Sequence, residues 1–125
     1  MKLNNFAFIS SPYAAILRSE SDEDKARDII IQIARFGSKL ALQDGFVPFS
    51  PVLAFEGIYT EAQRDEIMQK CFEAISNSSV FYCVKTEYFS KSLGMQAERN
   101  LAVKINIPVI DIDCLEQNAI IQKIR

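Results

Sequence analysis

Short apolar runs alternate with longer amphipathic segments along the chain. The runs at residues 6–9, 46–49, 80–84 and 107–112 are the length of strands, and such runs indicate strands buried on both faces. Between them, apolar residues recur at helical spacing. The order βαβαβαβα predicts one α/β domain over residues 1–125, with a doubly wound, four-stranded parallel sheet in the order 2-1-3-4.

The first long predicted helix begins at a cap, Ser21 or Asp22, and ends at Gly45. Three apolar residues on it, Ile31, Phe36 and Leu42, fall off the core-facing stripe. They are either scattered on the surface or part of a second apolar face, and we favour a subunit interface. The stripe itself consists of Ala26, Ile29, Ile30, Ile33, Gly37, Leu40 and Ala41.

Two more amphipathic helices follow. Thr60 and Gln63 have the spacing of a capping box at the start of the first. Its buried stripe is predicted to be Ile67, Met68, Cys71, Phe72 and Ile75. The second covers residues 92–105, and its apolar arc comprises Met95, Ala97, Leu101, Ala102 and Ile105. A short helix from about Leu115 is expected to close the chain.

Glu98 lies near the middle of that last arc, where a carboxylate is unusual. A glutamate on a core-facing stripe must find a hydrogen-bond partner, take up a proton or border a cavity. Active-site carboxylates often border a cavity. The alternative is that the arc is only partly buried and Glu98 reaches solvent at its rim.

Ligands of doubly wound, Rossmann-like sheets bind beyond the carboxyl ends of the strands. The residues predicted to face a ligand there are Ser10, Ser11, Pro12, Tyr13, Phe49, Ser50, Ser92, Gly94 and Met95. Small hydroxyl residues and exposed amides suit a phosphate or a sugar, and a helix start favours an anion. The alternatives are an ordinary turn after the first strand and a simple serine cap at residue 92.

Composition narrows the function. The chain has 14 basic and 16 acidic residues. The basic residues form no run or patch, so no nucleic-acid partner is expected. No apolar stretch approaches the ~20 residues that span a bilayer, and the first residues lack a signal-peptide pattern, so we expect a cytoplasmic protein without a membrane partner. The three cysteines lack metal-ligand spacing and are expected to be reduced. The absence of histidine excludes a histidine-activated nucleophile and a histidine-ligated metal.

Four segments together resemble the nucleoside 2-deoxyribosyltransferase superfamily across nearly the whole chain. They are FAFISSPY at 6–13, GFVPFSP at 45–51, SLGMQAE at 92–98 and NIPVI at 106–110. The resemblance implies that Glu98 is the nucleophile that attacks the anomeric carbon of a nucleoside or nucleotide. Tyr13 would orient Glu98 or contact the sugar. It also implies a homo-oligomer whose sites a neighbouring subunit completes; no cofactor and no metal are expected.

The chain departs from the family pattern at three positions. Ser92 and Met95 replace the motif's aspartate and threonine, and a second family aspartate is aligned with Ser79. Those acids hold and protonate the base in the family. An N-glycoside hydrolase, a relative with an altered substrate and a non-catalytic nucleotide-binding or sensing module therefore remain open. The spacing of Gly94 and Glu98 is also similar to that of cytokinin-activating phosphoribohydrolases, although their preceding glycine-rich loop is missing.

Overall fold

The computed structural model describes residues 5–58 and 60–114, except for the side chain of Glu61. The elements in chain order are β1 (Phe6–Ser10), α1 (Ala14–Ser19), α2 (Glu23–Gln43), β2 (Val47–Phe49), α3 (Pro51–Phe55), α4 (Arg64–Ser76), β3 (Val80–Lys85), α5 (Leu93–Lys104) and β4 (Val109–Asp113). Short 3-10 turns at Glu61–Gln63 and Phe89–Lys91 precede α4 and α5.

The four strands form one parallel sheet in the order β2-β1-β3-β4, as the sequence predicts. Phe8 pairs with Phe49 on one side, and Ser10 pairs with Cys83 on the other. Because β1 lies in the middle, its chain connects to β2 on one side while β3 lies on the other. The strand order therefore reverses at the carboxyl end of β1, which is where such sheets open a crevice.

Side chains of the central strands alternate between two cores. Ala7 and Ile9 of β1 pack with α1 and α2, whereas Phe8 packs with α4 and α5 on the opposite face. β3 alternates in the same way, with Tyr82 on the α2 face and Phe81 stacked on Phe8 at 5.4 Å between ring centroids. This alternation follows from the two-residue period of a strand. It also directs the last residue of β1, Ser10, toward α4 and α5.

The ends of α2 and α5 agree with the predicted signals. The Asp22 carboxylate accepts a hydrogen bond from the Lys25 amide, and Gly45 follows α2 with φ of 93°. The Ser92 hydroxyl accepts from the Met95 amide at the start of α5. Asn106 ends α5 in the left-handed region, with φ of 63°. The Gln63 side chain accepts from the Thr60 amide, which is one bond of the predicted capping box, but a 3-10 turn follows Thr60 and α4 begins at Arg64.

Several predictions about helix faces need correction. Phe36, assigned to an outer face of α2, is buried in the core with α1 and the sheet, whereas Leu42 is 61% exposed. Ala97, placed on the buried arc of α5, is exposed, whereas Met95 and Ala102 are buried and Leu101 and Ile105 pack against the same core.

Two short helices, α1 and α3, lie in segments for which the sequence predicts no helix. They have six and five residues, too few to establish a helical period. The predicted helix from Leu115 lies outside the described residues. Over residues 5–58 and 60–114, no helix has the length and apolar character needed to cross a membrane.

Candidate functional site

A cavity of about 140 Å³ opens beside the carboxyl end of β1, between α1, α3, α4 and α5. An engineered cavity of ~150 Å³ admits benzene, so a space of this size can take one small ring. Exposed residues such as Arg18, Thr60 and Leu93 form its mouth. Its wall comprises Ile9, Ser11, Tyr13, Ala14, Ala15, Arg18, Pro51, Val52, Phe55, Glu56, Thr60, Arg64, Ile67, Met68, Cys71, Ser92, Leu93, Gly94, Met95 and Glu98.

Glu98 lies on the cavity wall and is only 7% exposed. It shares one face of α5 with Met95 and Ala102, three residues before it and four after it, and both of these are buried. The Ser10 hydroxyl, directed to the same side as Phe8, donates a hydrogen bond of 2.8 Å to Glu98 Oε1. The predicted buried carboxylate at a cavity is therefore present, and β1 supplies its partner.

Burial raises the pKa of Glu98 from its ordinary value of 4.5 to about 7. The hydrogen bond from Ser10 lowers the pKa of Glu98 and so opposes this shift, and a weaker contact with the Cys71 thiol also lowers it. Burial, and then the nearby Glu98 carboxylate, raise the pKa of the Cys71 thiol. Cys71 therefore keeps its proton at neutral pH, and Glu98 exchanges its proton close to pH 7.

Ser11 and Tyr13 border the same cavity. Ser11 is 9% exposed, and among the described residues its Oγ is the buried side-chain polar atom that lacks a hydrogen-bond partner. An unpaired buried hydroxyl is costly, so a partner from a ligand would stabilise it. Tyr13 is half-buried and places a ring and a phenol at the wall.

The start of α5 forms another part of the wall. The first bond of the helix runs from the Gln96 amide to the Ser92 carbonyl, and the Ser92 hydroxyl takes the Met95 amide. The Leu93 and Gly94 amides lie in this first turn, where amides have no intrahelical acceptor. A Cβ on Gly94 would meet its nearest atoms only at 3.9 and 4.0 Å, so the glycine leaves the backbone open to a ligand.

Three predicted ligand residues support the wall without forming it. Phe49 packs against Phe8 and Phe55, with 6.1 Å between ring centroids in each pair. The Ser50 hydroxyl caps α3 by accepting from the Leu53 amide. Pro12 is fully buried. The structure thus places Ser11, Tyr13, Ser92, Gly94, Met95 and Glu98 at the cavity, with Ser10 bonded to Glu98.

Ser79, aligned with a second family acid, lies away from the cavity. It precedes β3, and its hydroxyl and amide both donate to the Phe6 carbonyl at 2.9 Å. Phe6 is the first residue of β1. Ser79 therefore stands at the amino edge of a parallel sheet, opposite the site, and that alignment supplies no ligand contact.

Sequence reasoning missed three chemically important wall residues. Arg18 of α1 and Arg64 of α4 were not singled out, and Cys71 was assigned only to the core. Arg18 lies on a helix that was not predicted, and Arg64 lies at the first turn of a helix whose position relative to α5 depends on the fold. The position of Cys71 on the buried stripe of α4 was the one available signal.

Comparison with protein-family models and with curated proteins gives no match for this chain. The chemistry must therefore be argued from the cavity. A buried carboxylate with a raised pKa beside a ring-sized space can accept a proton, attack an electrophilic carbon or stabilise a positive centre.

Proposed function

We propose that the protein binds a nucleoside or nucleotide with its sugar ring in this cavity and cleaves its N-glycosidic bond with Glu98. The observation that carries the proposal is the buried Glu98 carboxylate at the cavity wall, held by the Ser10 hydroxyl at 2.8 Å. A carboxylate facing an oxocarbenium-like carbon is the arrangement that glycoside-cleaving enzymes use. The resemblance of residues 92–98 to the deoxyribosyltransferase motif supports the same role.

The reaction proceeds in two steps. A Glu98 oxygen bonds to the anomeric carbon while the bond from that carbon to the base nitrogen breaks, and the base leaves with the electron pair and takes a proton from water. Water then attacks the anomeric carbon and breaks its bond to Glu98, so the sugar leaves with the hydroxyl group and the carboxylate is restored; the remaining proton neutralises the hydroxide formed when the base took its proton from water. A second base in place of water would give transfer. Tyr13, which lines the cavity, contacts the sugar.

A second candidate is a nucleotide-binding or sensing module without turnover. Among the described wall residues, Glu56 is the carboxylate besides Glu98, and it is ion-paired with Arg27 at 2.6 Å. It is therefore poorly suited to protonate a departing base. This observation favours slow or absent chemistry.

Chromatography separates the two candidates. The protein is incubated with a panel of purine and pyrimidine nucleosides and 5′-monophosphates, with ribose and deoxyribose, and free base is measured. Calorimetry on the same panel measures binding. Release of a base supports the glycosidase, whereas tight binding without release would leave only the sensing module.

We further propose that the protein is a cytoplasmic homo-oligomer. Large apolar side chains are exposed at Leu42, Ile58 and Leu93, at 61%, 67% and 74%. Leu93 borders the cavity mouth, so a neighbouring subunit on this surface would lie against the site. Cys71 and Cys83 are buried free thiols, which suits a reducing compartment.

A further inference from the structure

A thiol reaches the Glu98 carboxylate from α4. Cys71 is 2% exposed and packs in the core between α4, α5 and the sheet. Its thiol lies within hydrogen-bonding reach of Glu98, and it lines the cavity together with Ile67 and Met68, one turn before it on α4. Because Ser10 donates to Glu98 from β1, donors from two different elements meet at this carboxylate.

The Cys71 thiol has one role open to it in this contact. Burial, and then the charge of Glu98, raise the pKa of the thiol, so it keeps its proton while Glu98 ionises. An ionised carboxylate accepts hydrogen bonds and cannot donate one, so the S–H group is the donor. A thiol is a weaker donor than a hydroxyl. It can therefore direct the carboxylate while stabilising its charge less than a second hydroxyl would.

The charged groups on the elements around α5 act at other places. Asp111 of β4 is ion-paired with Arg99 at 2.7 Å and with Lys85 of β3 at 3.5 Å. Arg64 of α4 lies beside the start of α5, one turn before Glu98. Burial and two hydrogen bonds set the pKa of Glu98. The surroundings of this carboxylate are therefore defined by the Ser10 hydroxyl and the thiol from α4.

We propose that Cys71 is a positioning residue for Glu98: its thiol donates from α4 as the Ser10 hydroxyl does from β1, and the two donors fix the direction of the carboxylate in the cavity. The consequence for catalysis rests on the proposed function. A nucleophile reacts fastest when it is held close to its line of attack. An ionised carboxylate has about four lone-pair sites, so two donors leave sites free for the anomeric carbon.

Titration of Glu98 in variants of Cys71 tests the contact without a substrate. The side-chain carboxyl carbon of Glu98 is followed by NMR in protein labelled at glutamate, and Glu98→Gln identifies its resonance. Cys71→Ala removes the donor and should raise the midpoint by about half a pH unit, since a typical hydrogen bond corresponds to roughly one unit and S–H is a weak donor. Cys71→Ser restores a donor, and a stronger one, so its midpoint should lie at or below that of wild type.

Cys83→Ala is the matched control. Cys83 of β3 is also a fully buried thiol in the same core, and Glu98 acts on it only through its charge. Its midpoint should equal that of wild type. Equal midpoints in wild type and Cys71→Ala, the same rise in Cys71→Ala and Cys71→Ser, or an equal rise in Cys83→Ala would overturn the proposal, because a thiol that only fills space does not act as a donor.

Infrared spectra test the same contact in wild type, should Cys71→Ala fail to fold. The S–H stretching band lies where other protein groups do not absorb, and it moves to lower frequency as the acceptor becomes stronger. One S–H band should move down as the pH rises through about 7 and Glu98 ionises. That band should be present in Cys83→Ala, absent in Cys71→Ser and independent of pH in Glu98→Gln. An S–H spectrum of wild type that does not change with pH would overturn the proposal.

The positioning role and the glycosidase can fail separately. Base release by a protein whose Glu98 midpoint is insensitive to Cys71 would refute the positioning role and keep the glycosidase. A donor-dependent midpoint without base release from any member of the panel would refute the glycosidase and keep the contact. Where both hold, the pH–rate profiles of Cys71→Ala and Cys71→Ser should move by the same amounts as their midpoints.

Discussion

Two opposing effects set the pKa of the Glu98 carboxyl group. Burial favours the protonated form, while the hydrogen bond from Ser10 favours the carboxylate, and the result is a pKa of about 7. A nucleophile must be ionised, so the rate of base release should rise as the pH passes through that value. A general acid would require the opposite trend.

The raised pKa makes stability depend on pH. In the native state Glu98 keeps its proton up to about pH 7, whereas in the unfolded chain it loses the proton near pH 4.5. The contribution of Glu98 to the free energy of unfolding is therefore full below pH 4.5 and is lost as the pH rises from 4.5 to 7. The loss is on the order of 3 kcal/mol. Thermal melts of wild type should therefore show this slope, and Glu98→Gln should lack it.

Two results would count against that account. Equal pH slopes in wild type and Glu98→Gln would mean that Glu98 does not titrate in this range. A loss of about 3–5 kcal/mol at every pH with activity per folded molecule unchanged would identify Glu98 as a paired structural acid.

Ser10→Ala should raise the pKa of Glu98 further, because the hydrogen bond that stabilises the carboxylate is removed. The pH–rate profile should move to higher pH, and base release at pH 7 should fall about tenfold. Ser38→Ala is the control, since that hydroxyl bonds only the Ala34 carbonyl on α2. An unmoved profile in Ser10→Ala would show that Ser10 does not hold the carboxylate.

At the scale of elements, two segments distant in sequence build the reactive centre. The end of β1 contributes Ser10 and Ser11, and α5 contributes Glu98 one and a half turns after its cap. The direction of each of these side chains follows from the period of the strand or helix that carries it, which fixes the face on which it lies. This is why Glu98, Ser92 and the Ser10–Tyr13 turn could be predicted from the sequence.

The apolar periodicity of the sequence does not predict every residue of the site. Arg18 belongs to a six-residue helix whose pattern is too short to detect, and Arg64 meets α5 only through tertiary packing. Phe36 was misplaced because a helix in contact with both the sheet and α1 buries a wider face than a single stripe. The end of its strand at the correct edge predicts Phe49 as a ligand residue, but its side chain packs against the core.

Close contact between α2 and the sheet depends on Gly37. A Cβ there would stand 2.7 Å from Val84 Cγ2 and 2.9 Å from Ile9 Cγ2, and both methyl groups belong to stiff, buried side chains. Overpacking costs ~1–3 kcal/mol, against ~1 kcal/mol gained in helix propensity. Gly37→Ala should therefore lower the free energy of unfolding by about 1 kcal/mol.

Denaturant titration checks this value, with Gly94→Ala as the matched control. The Cβ of that variant would meet its neighbours at ordinary distances of 3.9 and 4.0 Å. A stable Gly37→Ala protein would show that α2 can move away from the sheet at little cost.

At the scale of the whole molecule, the strand order places the cavity. The sheet order 2-1-3-4 was predicted from the alternation of apolar runs and helical segments, and it puts the reversal of strand order at the end of β1. Ser79 is a case in which the resemblance to the family does not predict the site. Its alignment with a family aspartate indicates a site residue, but the parallel sheet puts it at the opposite edge.

The exposed apolar residues lead to a prediction about assembly. Light scattering at micromolar concentration should give a multiple of the 14.2 kDa mass of one chain. Ile58→Asp or Leu93→Asp should reduce that mass, because a charge in an apolar interface is costly. Lys104→Glu, at the end of α5 away from Leu93, serves as a control on an exposed position. A monomeric wild-type protein would refute the oligomer.

The central claim is that Glu98 cleaves an N-glycosidic bond. Its most direct test is the rate of base release, per folded molecule, by wild type and Glu98→Gln on the best substrate of the nucleoside and nucleotide panel. Glu73→Gln, an exposed acid on α4, is the matched control. Base should be released by wild type and by Glu73→Gln, and Glu98→Gln should bind the same substrate without releasing base. Equal release by Glu98→Gln and wild type would contradict the account.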